Sequence, residues 1–195
     1  MSGQFSLKVI PKIRFFGNSI LSILTKIASG YWNVSDTQTG YTAISNDALN
    51  KIDIHKIYHS YGMPNDLLVK LNIANCTIKE VVIKPVYNVG EKSKMKIYKV
   101  VPFVSWLLVK SFFKRLWLKY LFIDFHPLFI LYNFSFLLAI FSLRYFFEIF
   151  DAILSHDLTV QTDTLLKYMF LSIASFQSLL FAMWMDMQDN EKLSR

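Results

Sequence analysis

Residues 128–150 read LFILYNFSFLLAIFSLRYFFEIF, with Arg144 and Glu148 as their only charges. About 20 apolar residues in a helix are enough to cross the roughly 30 Å hydrocarbon core of a bilayer. At 1.5 Å per residue, Arg144 falls about 25 Å along such a helix. That depth is close to the far interface, where its guanidinium can snorkel and pair with Glu148 one turn on. Residues 165–185 form a second apolar segment. Lipid offers free backbone groups no partner, so both segments are expected to be helical. The stretch between them carries Asp151, Asp157 and Asp163 and no Lys or Arg, whereas Lys192 and Arg195 follow the second segment. The positive-inside rule then places the acidic loop outside and both ends of the hairpin on the cytoplasmic side. Residues 126–187 are thus expected to be a two-helix transmembrane hairpin in the inner, cytoplasmic membrane. Residues 188–195 are expected to be a cytoplasmic tail.

Composition agrees with a membrane protein. Hydrophobic residues make up 53% of the 195 and mean hydropathy is +0.34, more apolar than an ordinary soluble domain. The net charge of +7 fits either nucleic acid or an anionic membrane. The basic residues stand beside apolar segments, which favours the membrane and argues against a nucleic-acid partner. The single cysteine, Cys76, excludes an internal disulfide and a cysteine-based zinc site. His55 and His59 are four apart without an acidic or Cys companion, so they read as surface histidines rather than metal ligands. No sustained apolar core follows Lys8, Lys12 and Arg14 before Gly17, so no cleavable signal peptide is expected.

Upstream, residues 1–90 mix polar and apolar positions with turn signals, as a soluble α/β domain does. Residues 15–28 carry Phe16, Ile20, Leu24 and Ile27 at helical spacing, closed by Gly30. Residues 41–44 are a short strand candidate, Asn46 a plausible helix cap, and residues 65–72 a further helix. Residues 78–86 alternate as a strand that ends at Pro85. Residues 91–125 form a basic amphipathic interfacial segment. Between Lys84 and Lys119 there are nine Lys or Arg and one acid, Glu91. Pro102 is placed to start a helix. On a helical wheel Lys110, Lys114, Arg115 and Lys119 share one half. Val109, Phe112, Phe113, Leu116 and Tyr120 share the other, the pattern of a helix lying in the membrane interface.

Residues 27–45 contain Asp36, a short polar turn with Gln38, then Gly40 and Tyr41 entering the strand candidate. Upstream stand Pro11, Arg14, Gly17 and Asn18, with the spacing Pro-x-x-Arg-x-x-Gly-Asn. Downstream come Asn65-Asp66-Leu67-Leu68, the Gly-Glu-Lys-Ser run that includes Lys92, and Asp124-Phe125-His126-Pro127-Leu128. In order and spacing these segments resemble the acceptor side of family 2 glycosyltransferases of the GT-A type, the polyprenyl-phosphate (dolichol-phosphate-mannose-synthase-like) enzymes. The resemblance implies transfer of a sugar from a nucleotide-sugar to a polyprenyl phosphate, aided by a divalent cation, Mg or Mn, on the leaving diphosphate. It implies Asp36 and Asp66 as catalytic carboxylates. It implies Arg14, Gln38, Gly40, Tyr41 and Lys92 as acceptor contacts, with self-association compatible.

The family begins with a nucleotide-binding half that ends in an Asp-x-Asp metal motif. Here Asp53-Ile54-His55 and Asp186-Met187-Gln188-Asp189 do not supply it. The chain therefore resembles the C-terminal portion, with no metal ligands of its own, and is expected to be inactive in isolation. The expected fold is a partial α/β GT-A domain, then an amphipathic interfacial helix and two transmembrane helices. The alternative is a non-catalytic membrane protein that reuses this half as a lipid- or partner-binding module. Local readings of single residues stay open beside these roles. Asp36 can cap its own turn, Asp66 can complement a helix dipole in a first turn, and Arg14 can be a solvated charge.

Overall fold

The computed structural model describes residues 12–37, 41–82, 97–155 and 161–194, without the side chains of 12–16, 18 and 97–99. The chain divides into two compact units, one of Met1–Lys119 with Asp189–Arg195 and one of Tyr120–Gln188.

In the first unit, helix α1 (Lys12–Ser29) turns Leu21, Thr25, Ala28 and Ser29 inward. It stops at Gly30, whose φ of +77° is a left-handed conformation that glycine adopts without a Cβ penalty. The Gly30 N–H donates to the Lys26 carbonyl at 2.8 Å. Helix α2 (Asn46–Lys51) is capped by Ser45, whose hydroxyl accepts from the Ala48 N–H at 3.3 Å. Ser45 thus holds the cap position expected for Asn46, which is the first helical residue. A 3₁₀ turn, Ile54–Lys56, follows with Asp53 as its cap. Helix α3 (Met63–Ile73) carries Pro64 in its first turn, where a missing N–H costs nothing. Helix α4 (Ile97–Trp117) begins earlier than expected and holds Pro102 within it. Helices α1, α3 and α4 pack on one another. A separate apolar cluster joins Tyr31, Val34, Ile52, Leu67, Leu71 and Cys76 to Leu193 of the C-terminal segment. Tyr31 anchors it by donating its hydroxyl to the Cys76 carbonyl at 2.5 Å.

The expected α/β fold is corrected: the described residues form helices and no strand. A strand needs a paired neighbour and a buried face, and neither candidate has both. Residues 41–44 pair with nothing regular, and the Tyr41 side chain is 83% exposed. Beyond Cys76, Ile78 makes one isolated parallel bridge to Ser194, with its N–H donating to the Leu193 carbonyl at 2.9 Å. Val81 and Val82 are both exposed, so the alternation there buries neither face. Residues 83–86 lie outside the described residues.

In the second unit, helix α5 (Pro127–Leu154) is capped by His126, which accepts from the Leu128 N–H at 3.3 Å, and helix α6 begins at Thr162 (Thr162–Glu191). The two run antiparallel. Ser135 and Ser175 each donate a hydroxyl to the other's carbonyl, at 2.8 and 2.9 Å, and Phe146 meets Tyr168 further along. Tyr120 donates to the buried carboxylate of Asp186 at 2.7 Å. The expectation of two transmembrane helices is also corrected. Among the described residues one helix, Thr162–Glu191, is long and apolar enough to cross a membrane. In α5 the uncharged run ends at Arg144, and Glu148 and Asp151 follow. That run falls short of the ~20 residues a span needs.

Candidate functional site

Of the residues expected to form an acceptor site, Asp36, Asp66 and Tyr41 are described with their side chains, and the two carboxylates take different partners. Asp36 is exposed on the turn after Tyr31, where its N–H and that of Ser35 donate to Glu80 Oε1 at 3.2 and 2.7 Å. The Ser35 hydroxyl donates to Glu80 Oε2 at 2.8 Å. Glu80 therefore caps this turn, as a carboxylate caps a helix start. Asp66 is held in a different network. Its carboxylate accepts from the Tyr58 N–H at 2.8 Å and pairs with Lys70 one turn along α3. Lys70 also donates to the Lys56 carbonyl, so the pair fastens the 56–58 turn to α3. Tyr41 points into solvent. Arg14 lies in α1 with its side chain outside the described residues, as do Gln38, Gly40 and Lys92. No group of three His, Cys, Asp or Glu side chains suited to a metal ion occurs among the described residues, so the divalent cation implied by the resemblance finds no fitting donor set there.

What the structure does assemble is a pair of buried cations, Arg115 near the end of α4 and Lys119 in the π-helical turn Leu118–Ile123 that continues it. Arg115 is 1% exposed, and its guanidinium donates from Nε to the Ala28 carbonyl at 2.9 Å and from Nη2 to the Ile27 carbonyl at 3.0 Å. The last carbonyls of a helix have no partner within it and carry its negative end. A guanidinium from a neighbouring helix satisfies both needs for α1. Gly30 makes room for it: a Cβ there would stand 2.5 Å from Arg115 Nη1. One turn on, Lys119 is 2% exposed. Its ammonium donates to Asn190 Oδ1 at 2.6 Å and Asn72 Oδ1 at 3.1 Å, and lies 3.5 Å from the Asp189 carboxylate. These match the three donors of an ammonium. Asn72 Nδ2 closes the ring by donating to Asn190 Oδ1 at 2.8 Å. The cluster joins α3, the end of α4 and the C-terminal segment.

The same helix turns a second face outward. Val104, Leu108, Phe112, Arg115, Leu116 and Lys119 point inward. Phe103, Trp106, Val109, Lys110, Phe113, Lys114 and Trp117 point outward. The expected division of α4 into a basic half and an aromatic half is therefore corrected. Of the four cations at positions 110, 114, 115 and 119, Arg115 and Lys119 are internal, and the outward stripe interleaves lysines with aromatics. Sequence reasoning missed Arg115, Lys119, Asn72, Asn190 and Glu80. The available signal was the register of Leu108, Phe112, Arg115 and Lys119, which repeats at helical spacing.

No protein family matches the chain, and no curated protein and no solved structure is significantly similar to it.

Proposed function

We propose that this chain is an integral membrane protein that works as a lipid- or partner-binding module. The observation that carries this reading is the outward surface of α6, where Leu166, Met169, Phe170, Ile173, Phe176, Leu180 and Trp184 are all exposed. So large an apolar surface on a helix of this length is what hydrocarbon, not water, covers. The outward side of α5 supports the same reading, with Ile130, Phe134, Leu137, Ile140 and Phe141. A second support is that the strongest charges of the first unit, Arg115, Lys119 and Asp66, are engaged in holding helices and turns together.

The chain leaves the first unit after Lys119 and returns to it at Asp189. Residues on both sides of that excursion share one buried cluster.

Sugar transfer to a polyprenyl phosphate is the competing activity, and it rests on the order of short motifs alone. The test is an assay of membranes that contain this chain, with labelled nucleotide-sugar and polyprenyl phosphate, in unaltered and Asp36→Asn forms. The module predicts no transfer in either form. Transfer that disappears in Asp36→Asn would overturn it.

A further inference from the structure

The outward face of α4 stays open to solvent among the described residues beyond local contacts such as Phe103 on Tyr58, ring centroids 5.6 Å apart, and its chemistry points to a further occupant. Phe103, Trp106, Lys110, Phe113, Lys114 and Trp117 follow one another at intervals of three, four or one along the exposed side. From Phe103 to Trp117 they span about 21 Å at 1.5 Å per residue. Trp106, 71% exposed, is the most open of the four aromatic residues. No Asp or Glu occurs from Ile97 to Ile123, and no carboxylate pairs with Lys110 or Lys114 among the described residues. Tryptophan and tyrosine rings settle at the headgroup level of a bilayer. Lysines among them reach the phosphates and add attraction where the lipid is anionic. A soluble protein partner would be expected to offer acids to this face but has no need of indole rings at headgroup depth. We propose that the outward face of α4 docks on an anionic membrane surface, Trp106, Phe113 and Trp117 entering the headgroup layer and Lys110 and Lys114 binding lipid phosphate or carboxylate. The inference rests on the membrane reading above and adds a lipid preference to it.

The full chain is reconstituted into vesicles of phosphatidylcholine, with or without phosphatidylserine, that contain lipid brominated near the headgroup. Flotation with the vesicles tests insertion by itself. A chain that does not float overturns the membrane reading and this one with it. Quenching that is lost in Trp106→Phe is assigned to Trp106. The proposal expects this quenching to rise with phosphatidylserine and to weaken near 1 M salt, where screening shortens to about 3 Å. The double variant K110Q/K114Q should lower the ratio of docked to undocked α4 roughly tenfold or more, since each cation near such a surface is worth about fivefold. A floating chain whose Trp106 is quenched by aqueous acrylamide alone, in every lipid, overturns the docking proposal only. A Trp106 shielded from both quenchers overturns it in favour of a protein contact.

Discussion

Lys119 is the residue whose removal should cost most. Its ammonium, 2% exposed, is held by Asn72, Asn190 and Asp189. Lys119→Met would leave the two amide oxygens without their cation and Asp189 with only the exposed Lys192, 3.6 Å away. Breaking one side of a buried charged cluster costs about 3 kcal/mol or more. Urea unfolding in detergent micelles, followed by tryptophan fluorescence, should show that loss, while the solvent-facing Lys114→Met should stay within about 0.5 kcal/mol. Gly30→Ala should also destabilise. A left-handed alanine costs about 1–2 kcal/mol, before its methyl meets the Arg115 guanidinium. Tyr31 gives a pH dependence. Burial raises its phenol above the ordinary value of about 10, and the Cys76 thiol adds to the rise while Arg115 opposes it. An acid raised on folding favours the folded state at every pH below its unfolded value. That contribution is lost as the pH climbs through 10 toward the folded value. Stability should therefore fall steeply above about pH 10, and the slope should flatten in Tyr31→Phe, measured by the same unfolding assay.

At the scale of elements, the helices were readable where pattern and punctuation agreed. The apolar repeat of residues 15–28 with Gly30 after it became α1, and residues 65–72 became the body of α3. Long apolar runs announced α5 and α6. The strands were misread because short alternation such as Val81-Val82-Ile83 carries no information about a partner strand, and a β-bridge here recruits Ser194, more than a hundred positions away. The face of α4 was misread because Lys and Arg are counted as solvated by default. Two acceptors at a helix end, Ile27 and Ala28, and an Asn pair from distant segments reverse that default. No local pattern reveals such partners. Asp66 belongs to a turn clamp whose other members, Tyr58 and Lys70, are not part of the motif. The α5–α6 contact offers an element-scale test. Ser135 and Ser175 exchange hydroxyl-to-carbonyl bonds, the small-polar contact that lets membrane helices approach closely. Ser135→Val and Ser175→Val, alone and combined in a double-mutant cycle, should give a coupling of about 0.6 kcal/mol and no more than about 1.7.

On the scale of the whole molecule, the chain comprises a helical unit whose buried cations Arg115 and Lys119 tie its segments together, and a unit of two antiparallel helices with an apolar exterior. In the function proposed above hydrocarbon covers that exterior, with α6 as the helix able to cross. The most direct measurement is extraction of cell membranes containing the full chain with alkaline carbonate, followed by hydrogen exchange of the membrane-bound form. The chain should stay in the membrane pellet, and amides of α6 around Phe170–Leu180 should resist exchange. Release into the carbonate supernatant, with those amides exchanging as freely as exposed helix, would contradict the membrane reading.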